Sequence, residues 1–385
     1  MIRNRTILTE QQKAEGLTTG FDYLRLGLSV AVLVWHSILL TAGPAAYSGL
    51  WSGPFRFIPA AILPMFFALS GFLVTGSLMR TNIHHFLALR AIRLVPALAV
   101  EVTLSALILG VAFTTMPLRE YFTSPEFFRY FGNILGLVHF TLPGVFAQNT
   151  VPRVVNSQLW TVPFELECYA AIVFVSLALG WGRRLLFVTL LVLFSAAVTA
   201  EALFTHSIGP PGPPQGRALV MAFLAGVSVH LYRGAIPYTH ALGAGAMLIS
   251  FIFLEFPDGQ YIAAFPIAYQ TVWLGLMRPP RLPFGDWSYG VYLFHFPIEQ
   301  TIAHLFPGLG HWWAMALAAS LPTALCAGLS WTLIERPILR RKARILSAAD
   351  RACAVARDWM RARRRRPYPA MGAARTAPWT APHRG

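Results

Sequence analysis

Apolar runs close to twenty residues long recur along most of this chain, and they settle what it can fold into. A helix of about twenty residues crosses the ~30 Å hydrocarbon core of a bilayer. Strands of a membrane barrel would alternate in polarity, which these runs do not, so helices that satisfy their own backbone hydrogen bonds are the solution left. Composition agrees: 56% of residues are hydrophobic and 12% are charged. The pattern predicts an all-α, polytopic transmembrane bundle of about ten spans, at roughly 22–42, 57–79, 94–115, 159–179, 185–204, 217–232, 238–256, 261–277, 288–306 and 312–334. Turns rich in glycine and proline, at 209–216, 278–286 and 307–310, separate several of them. The polar stretch 1–20 lacks the form of a signal peptide. The expected organisation is therefore a cytoplasmic arm over 1–20, a membrane domain over 21–340 and a basic cytoplasmic tail, partly disordered, over 341–385.

Basic residues orient the bundle. With the N-terminus inside, the inner set holds the N-terminal arm, Arg80, Arg90, Arg93, Arg183, Arg184, Arg233, Arg278, Arg281 and the tail. The outer set holds only Arg56, Arg119, Arg129, Arg153 and Arg217. Positive residues stay on the cytoplasmic side, so both termini are expected there. The formal charge of +15 comes largely from Arg336 onward, including the run at 361–366. Such a tail suits anionic lipid, worth ~1 kcal/mol per charge near the surface; nucleic acid is not the expected partner. The three cysteines, Cys168, Cys326 and Cys353, fall outside the extracytoplasmic loops, and no metal-ligand spacing is present, so neither a disulfide framework nor a metal is expected.

Ionisable groups within spans are costly and usually face a bundle interior or a wet cavity. Arg25 and His36 in the first span are eleven residues apart, which puts them on one face, about 16 Å apart along the axis. Arg90 and Arg93 share a face at the start of the third span, with His84 and His85 nearby. They suit topology anchoring, and equally a bidentate clamp on phosphate. Ser70 and Gly71 suit close helix contact, or a smooth wall beside a thin ligand. The aromatics of the 116–158 loop suit interfacial anchoring or a platform for a bulky acceptor. Glu165 lies ~9 Å below the outer surface, about level with His36, where a carboxylate would fix the imidazole's tautomer. Tyr289, Tyr292, His295 and Glu299 form one polar helical face, read as lining an inner cavity.

Taken in order, these motifs resemble the acyltransferase-3 family of integral membrane O-acyltransferases, over about 20–340. The residues that carry the resemblance are Arg25 with His36, Phe67 with Ser70, Gly71 and Phe72, Arg90 with Arg93 and Pro96, Leu159 through Glu165 with Tyr169, Ser288 through His295 with Pro297, and Glu335 through Pro337. Cys168 stands where the family commonly has an aromatic. The resemblance implies a stand-alone enzyme of a bacterial-type inner membrane, without the hydrolase-like domain that some relatives append. Such an enzyme moves an acyl group, usually acetyl from acetyl-CoA, to a hydroxyl of an extracytoplasmic glycan such as an exopolysaccharide. His36 and Glu165 would then be the catalytic pair. Arg25, Arg90, Arg93, Ser70, Gly71, Tyr289, Tyr292 and His295 would hold the donor. A flippase for a lipid-linked glycan is the rival reading. It would more naturally show broken helices and a two-fold repeat, and no repeat is evident.

Overall fold

The computed structural model describes residues 5–14, 19–204, 213–256 and 259–364. Helix dominates, and among the described residues β pairing is confined to isolated bridges. A short α1 (Ile7–Lys13) precedes α2 (Thr19–Leu50), α3 (Phe57–Leu78) and α4 (Ile83–Leu104), which runs through a π turn into α5 (Gly110–Phe113). The loop that follows carries α6 (Leu118–Thr123) and α7 (Pro125–Tyr130). After a 3-10 turn at Ser157–Thr161 come α8 (Val162–Ala178), α9 (Arg184–Phe204), α10 (Gly216–Leu231), α11 (His240–Leu254), α12 (Gln260–Gly275), α13 (Ser288–Leu305) and α14 (Trp312–Ser330). A second π turn leads into α15 (Arg336–Arg340), and α16 (Lys342–Arg364) closes the described chain.

Every apolar segment read from the sequence is thus helical. Among the described residues, six helical stretches are long and apolar enough to cross a membrane: Thr19–Leu50, Phe57–Leu78, Ile83–Phe113, Ser157–Ala178, Trp181–Glu201 and Trp312–Arg340. The other expected spans, α10 to α13, are helices of 15 to 18 residues. α16 occupies the first half of the tail expected to be partly disordered; residues 365–385 lie outside the described residues.

α3 and α10 cross with their backbones in close contact. A Cβ on Gly71 would sit 2.0 Å from the Phe223 carbonyl oxygen, and one on Gly226 would sit 2.1 Å from that of Ala68. The helices meet backbone to backbone because neither glycine interposes a side chain, the usual way helices associate in lipid. Gly71 is therefore a contact residue between helices and not a wall of the donor cavity, the expected role. Gly71→Ala should cost about 1–3 kcal/mol through overpacking, read as a lower midpoint of thermal unfolding in detergent, with Ser70→Ala as the mild control.

At the end expected to face the cytoplasm, α1 is tied to the 233–238 turn. Ile7 N–H donates to the Ile236 carbonyl (3.1 Å) and Tyr238 N–H to that of Arg5 (2.7 Å). Buried Glu10 gathers Arg5, Lys13 and Arg278. α16 is clasped to α4 by His84 and His85, whose Nε2 atoms lie 2.7 and 2.8 Å from one oxygen of Asp350. At the other end, residues 114–156 form their own small core. Tyr121, Tyr130, Leu142, Val145 and Phe146 are buried there against α4 and α13. Most aromatics of this loop are thus interior, and only Phe122 and Phe128 are exposed. α2 breaks at Gly43 (φ 83°), just before Pro44, so its last turns fold Tyr47 and Trp51 against Trp35.

Candidate active site

Two cavities formed by the described residues bear on the chemistry. The larger, about 480 Å³, opens among α3, α4, α8 and α13 and is lined by Arg25, Ser70, Arg90, Arg93, Glu165, Tyr289 and Tyr292. Lys342, from the start of α16, joins them. The smaller, about 310 Å³, holds His36 and an aromatic wall of Trp35, Tyr47, Trp51, Phe140 and Trp160.

Three arginines contribute to the larger cavity, but they are not equivalent. Arg93 is held by two acids: Nη2 lies 2.5 Å from Asp286 and Nη1 lies 3.0 Å from Glu335. Arg25 is tied to Asp22 at 2.6 Å and reaches Asp286 at 3.5 Å. Burial alone would raise the Asp286 carboxyl, but Arg93 and Arg25 outweigh it and hold it below the usual carboxylate range. Arg90 and Lys342 form no ion pair among the described residues. Arg90 rests over the Phe86 ring, and its buried Nε has no hydrogen-bond partner. These two cations are the ones left to meet an anion.

His36 does not pair with Glu165. Its Nδ1 lies 2.8 Å from His295 Nε2. Glu165 instead accepts a hydrogen bond from the Tyr169 hydroxyl and lines the other cavity, where Arg90 and Arg93 act on its charge. Depth along the membrane normal made the two look level, but depth says nothing about which way a side chain turns. His295 also departs from expectation, since its partner is His36 and it does not line the larger, cationic cavity.

The hydrogen bonds assign the tautomers. His295 Nδ1 lies 3.1 Å from the Val291 carbonyl, which can only accept, so Nδ1 carries the hydrogen. His295 Nε2 then accepts from His36 Nδ1–H. That leaves His36 Nε2 as the atom with a free lone pair, the form a base or nucleophile needs. A carboxyl group does stand beside this pair, and it is that of Glu299. It lies one turn beyond His295 on α13 and accepts from the Ser37 hydroxyl. Ligand atoms of His36, His295 and Glu299 lie within 4.8 Å of one another, as do those of His84, His85 and Asp350. A metal could enter the first group only by displacing the His36–His295 hydrogen bond.

Sequence reasoning placed Glu299 on the right face but did not pair it. It missed Lys342, Asp286 and the Trp35–Tyr47–Trp51 wall. The signal for Asp286 was present: an acid two residues before Ser288, whose hydroxyl donates to it at 2.5 Å.

Residues 18–334 match the profile of a family described as an acyltransferase domain, Acyl_transf_3. The chain belongs to the acyltransferase-3 family. It is 25% identical over 348 residues to an O-acetyl transferase of Shigella phage Sf6, covering 85% of this chain and 98% of that one. It is 25% identical over 363 residues to Nodulation protein 10 of Rhizobium leguminosarum bv. viciae, covering 87% and 97%. No solved structure gives a significant match. This acyltransferase-3 protein is therefore an enzyme and a multi-pass membrane acyltransferase. The matched region takes in both cavities, Arg25 through Leu293, but ends before Leu339 and Lys342.

Proposed function

We propose that this acyltransferase moves an acetyl group from cytoplasmic acetyl-CoA to a hydroxyl of an extracytoplasmic glycan, such as an exopolysaccharide, across a bacterial inner membrane. The observation that carries this reading is the adjacency of the two cavities. One is cationic at the end where basic residues gather; the other is aromatic and holds a histidine with a free Nε2. A bundle of about ten spans with both termini inside, as the basic residues suggest, puts the first cavity on the donor side. Arg90 and Lys342 would take the donor's phosphates, and Arg25 and Arg93, braced by acids, would set the cavity's positive field. Glu165 would hold Tyr169 in place on that side. The basic tail would rest on anionic lipid.

On the other side, Trp35, Trp51 and Trp160 offer flat apolar faces of the kind on which a sugar ring can lie. His36 Nε2 takes the proton of the acceptor hydroxyl, whose oxygen attacks the thioester carbonyl. The C–O bond forms, the C–S bond breaks, and the thiolate takes up the proton. His295 keeps Nδ1 protonated throughout, and the Glu299 carboxyl group, if ionised, offsets the imidazolium charge. An acyl group carried briefly on Nε2 is the other route, and it gives ping-pong kinetics where direct transfer does not.

The test is to supply purified protein in lipid nanodiscs with acetyl-CoA and surface glycans, then follow CoA release and the mass of the glycan. Release of CoA matched by an acetyl increment on the glycan is the expected result. Glycan movement across vesicles without any acyl increment would instead mean a transporter.

A further inference from the structure

The donor-side and aromatic cavities share two lining residues, Leu63 of α3 and Tyr292 of α13. Tyr292 is held at both ends. Its hydroxyl donates to the Gln158 carbonyl at 2.9 Å and shares a hydrogen bond with Thr161 Oγ1 at 2.7 Å. Its ring lies edge-on to Phe66, with centroids 6.0 Å apart, and is one helical turn from His295. A tyrosine fixed at tip and ring cannot swing aside without breaking hydrogen bonds to the 3-10 turn before α8. Leu63, the other residue common to both cavities, has no polar atom to tether it.

We infer that Leu63 and Tyr292 form the partition at which the acyl group meets His36, and that the space between them limits its length. The inference rests on the acyl-transfer reading above. A short acetyl group fits beside a fixed ring, and each added methylene must displace Leu63 or strain Tyr292. In an apolar pocket one methylene typically changes kcat/KM by about 10–200-fold. The partition also keeps the donor cavity from opening freely onto the outer one, so water does not reach the thioester by that route.

The experiment compares acetyl-CoA with butyryl-CoA on the full-length protein in nanodiscs, with the same glycan acceptor. The expected result is a wild type that prefers acetyl. Leu63→Ala should raise the butyryl-to-acetyl ratio of kcat/KM by about tenfold or more. Tyr292→Ala should raise it further and add acceptor-independent release of CoA. Leu63→Ala keeps every hydrogen bond of Tyr292, so it serves if Tyr292→Ala fails to fold. An unchanged ratio in an active Leu63→Ala protein overturns the partition and leaves the acyl-transfer reading standing. No transfer by wild type from either donor overturns both.

Discussion

His36→Ala should lower acyl transfer by at least about 10²–10⁴-fold, the usual worth of a positioned general base, with no change in acetyl-CoA affinity. Arg90 and Lys342, proposed to take the donor's phosphates, line one cavity and His36 lines the other, so removing the imidazole takes nothing from the cationic end. Equilibrium binding of labelled acetyl-CoA, measured beside turnover, separates the two effects. A variant that turns over like wild type would end the central mechanistic claim. His295→Phe should act through His36. It keeps a ring beside Phe296 but removes the acceptor that holds His36 Nδ1–H. The imidazole is then free to change tautomer, so kcat should fall while KM for the donor holds.

Arg90→Ala and Arg93→Ala should part company, although the sequence treats the two arginines as one motif. Arg90 has no acid partner within ion-pair distance among the described residues. Losing it should weaken acetyl-CoA binding about ten- to hundredfold, the worth of one charge-assisted hydrogen bond or two, and leave the fold intact. Arg93 binds Asp286 and the almost fully buried Glu335. Removing it strands Glu335 and leaves Asp286 only the longer contact to Arg25, and breaking a buried pair costs about 3–5 kcal/mol. Its signature is therefore a lower unfolding midpoint, and Arg93→Lys should recover only part of it because a lysine cannot fork between two carboxylates. The pH dependence follows from Asp286. Its pKa is depressed in the folded protein, so its share of stability is present above the ordinary carboxylate range. That share is lost as pH falls through the depressed value. Equal losses of donor affinity with unchanged stability in both variants would contradict this division of labour.

Much of the helical layout was legible in the sequence because hydropathy reports burial in lipid directly. The face shared by Tyr289, Tyr292, His295 and Glu299 was legible because helical periodicity is strict. Partners across helices were not. Spacing along one helix gives direction only relative to that helix, so Glu165 was turned toward His36 when it turns toward Tyr169. Gly71 shows a second limit. A small residue beside a serine reads equally as a ligand wall and as a helix contact, and only the 2.0 Å approach to the Phe223 carbonyl decides. The 114–156 segment was opaque for a third reason. Its core is built from loop contacts with no period, so its aromatics looked available when most are interior.

The brace around Arg93 also bears on how the protein is made. Glu335 is 242 residues downstream of Arg93, and His295 is 259 residues downstream of His36. At the usual 5–20 residues per second of synthesis, Arg93 waits roughly 12 to 48 s for that acid to be made. Until Asp286 is made, 193 residues downstream of Arg93, α4 sits in the membrane with neither acid beside its guanidinium. Glu335 lies one residue past the matched domain, so a nascent chain stalled at the end of α14 would carry every helix but two and would lack the acid that completes this brace.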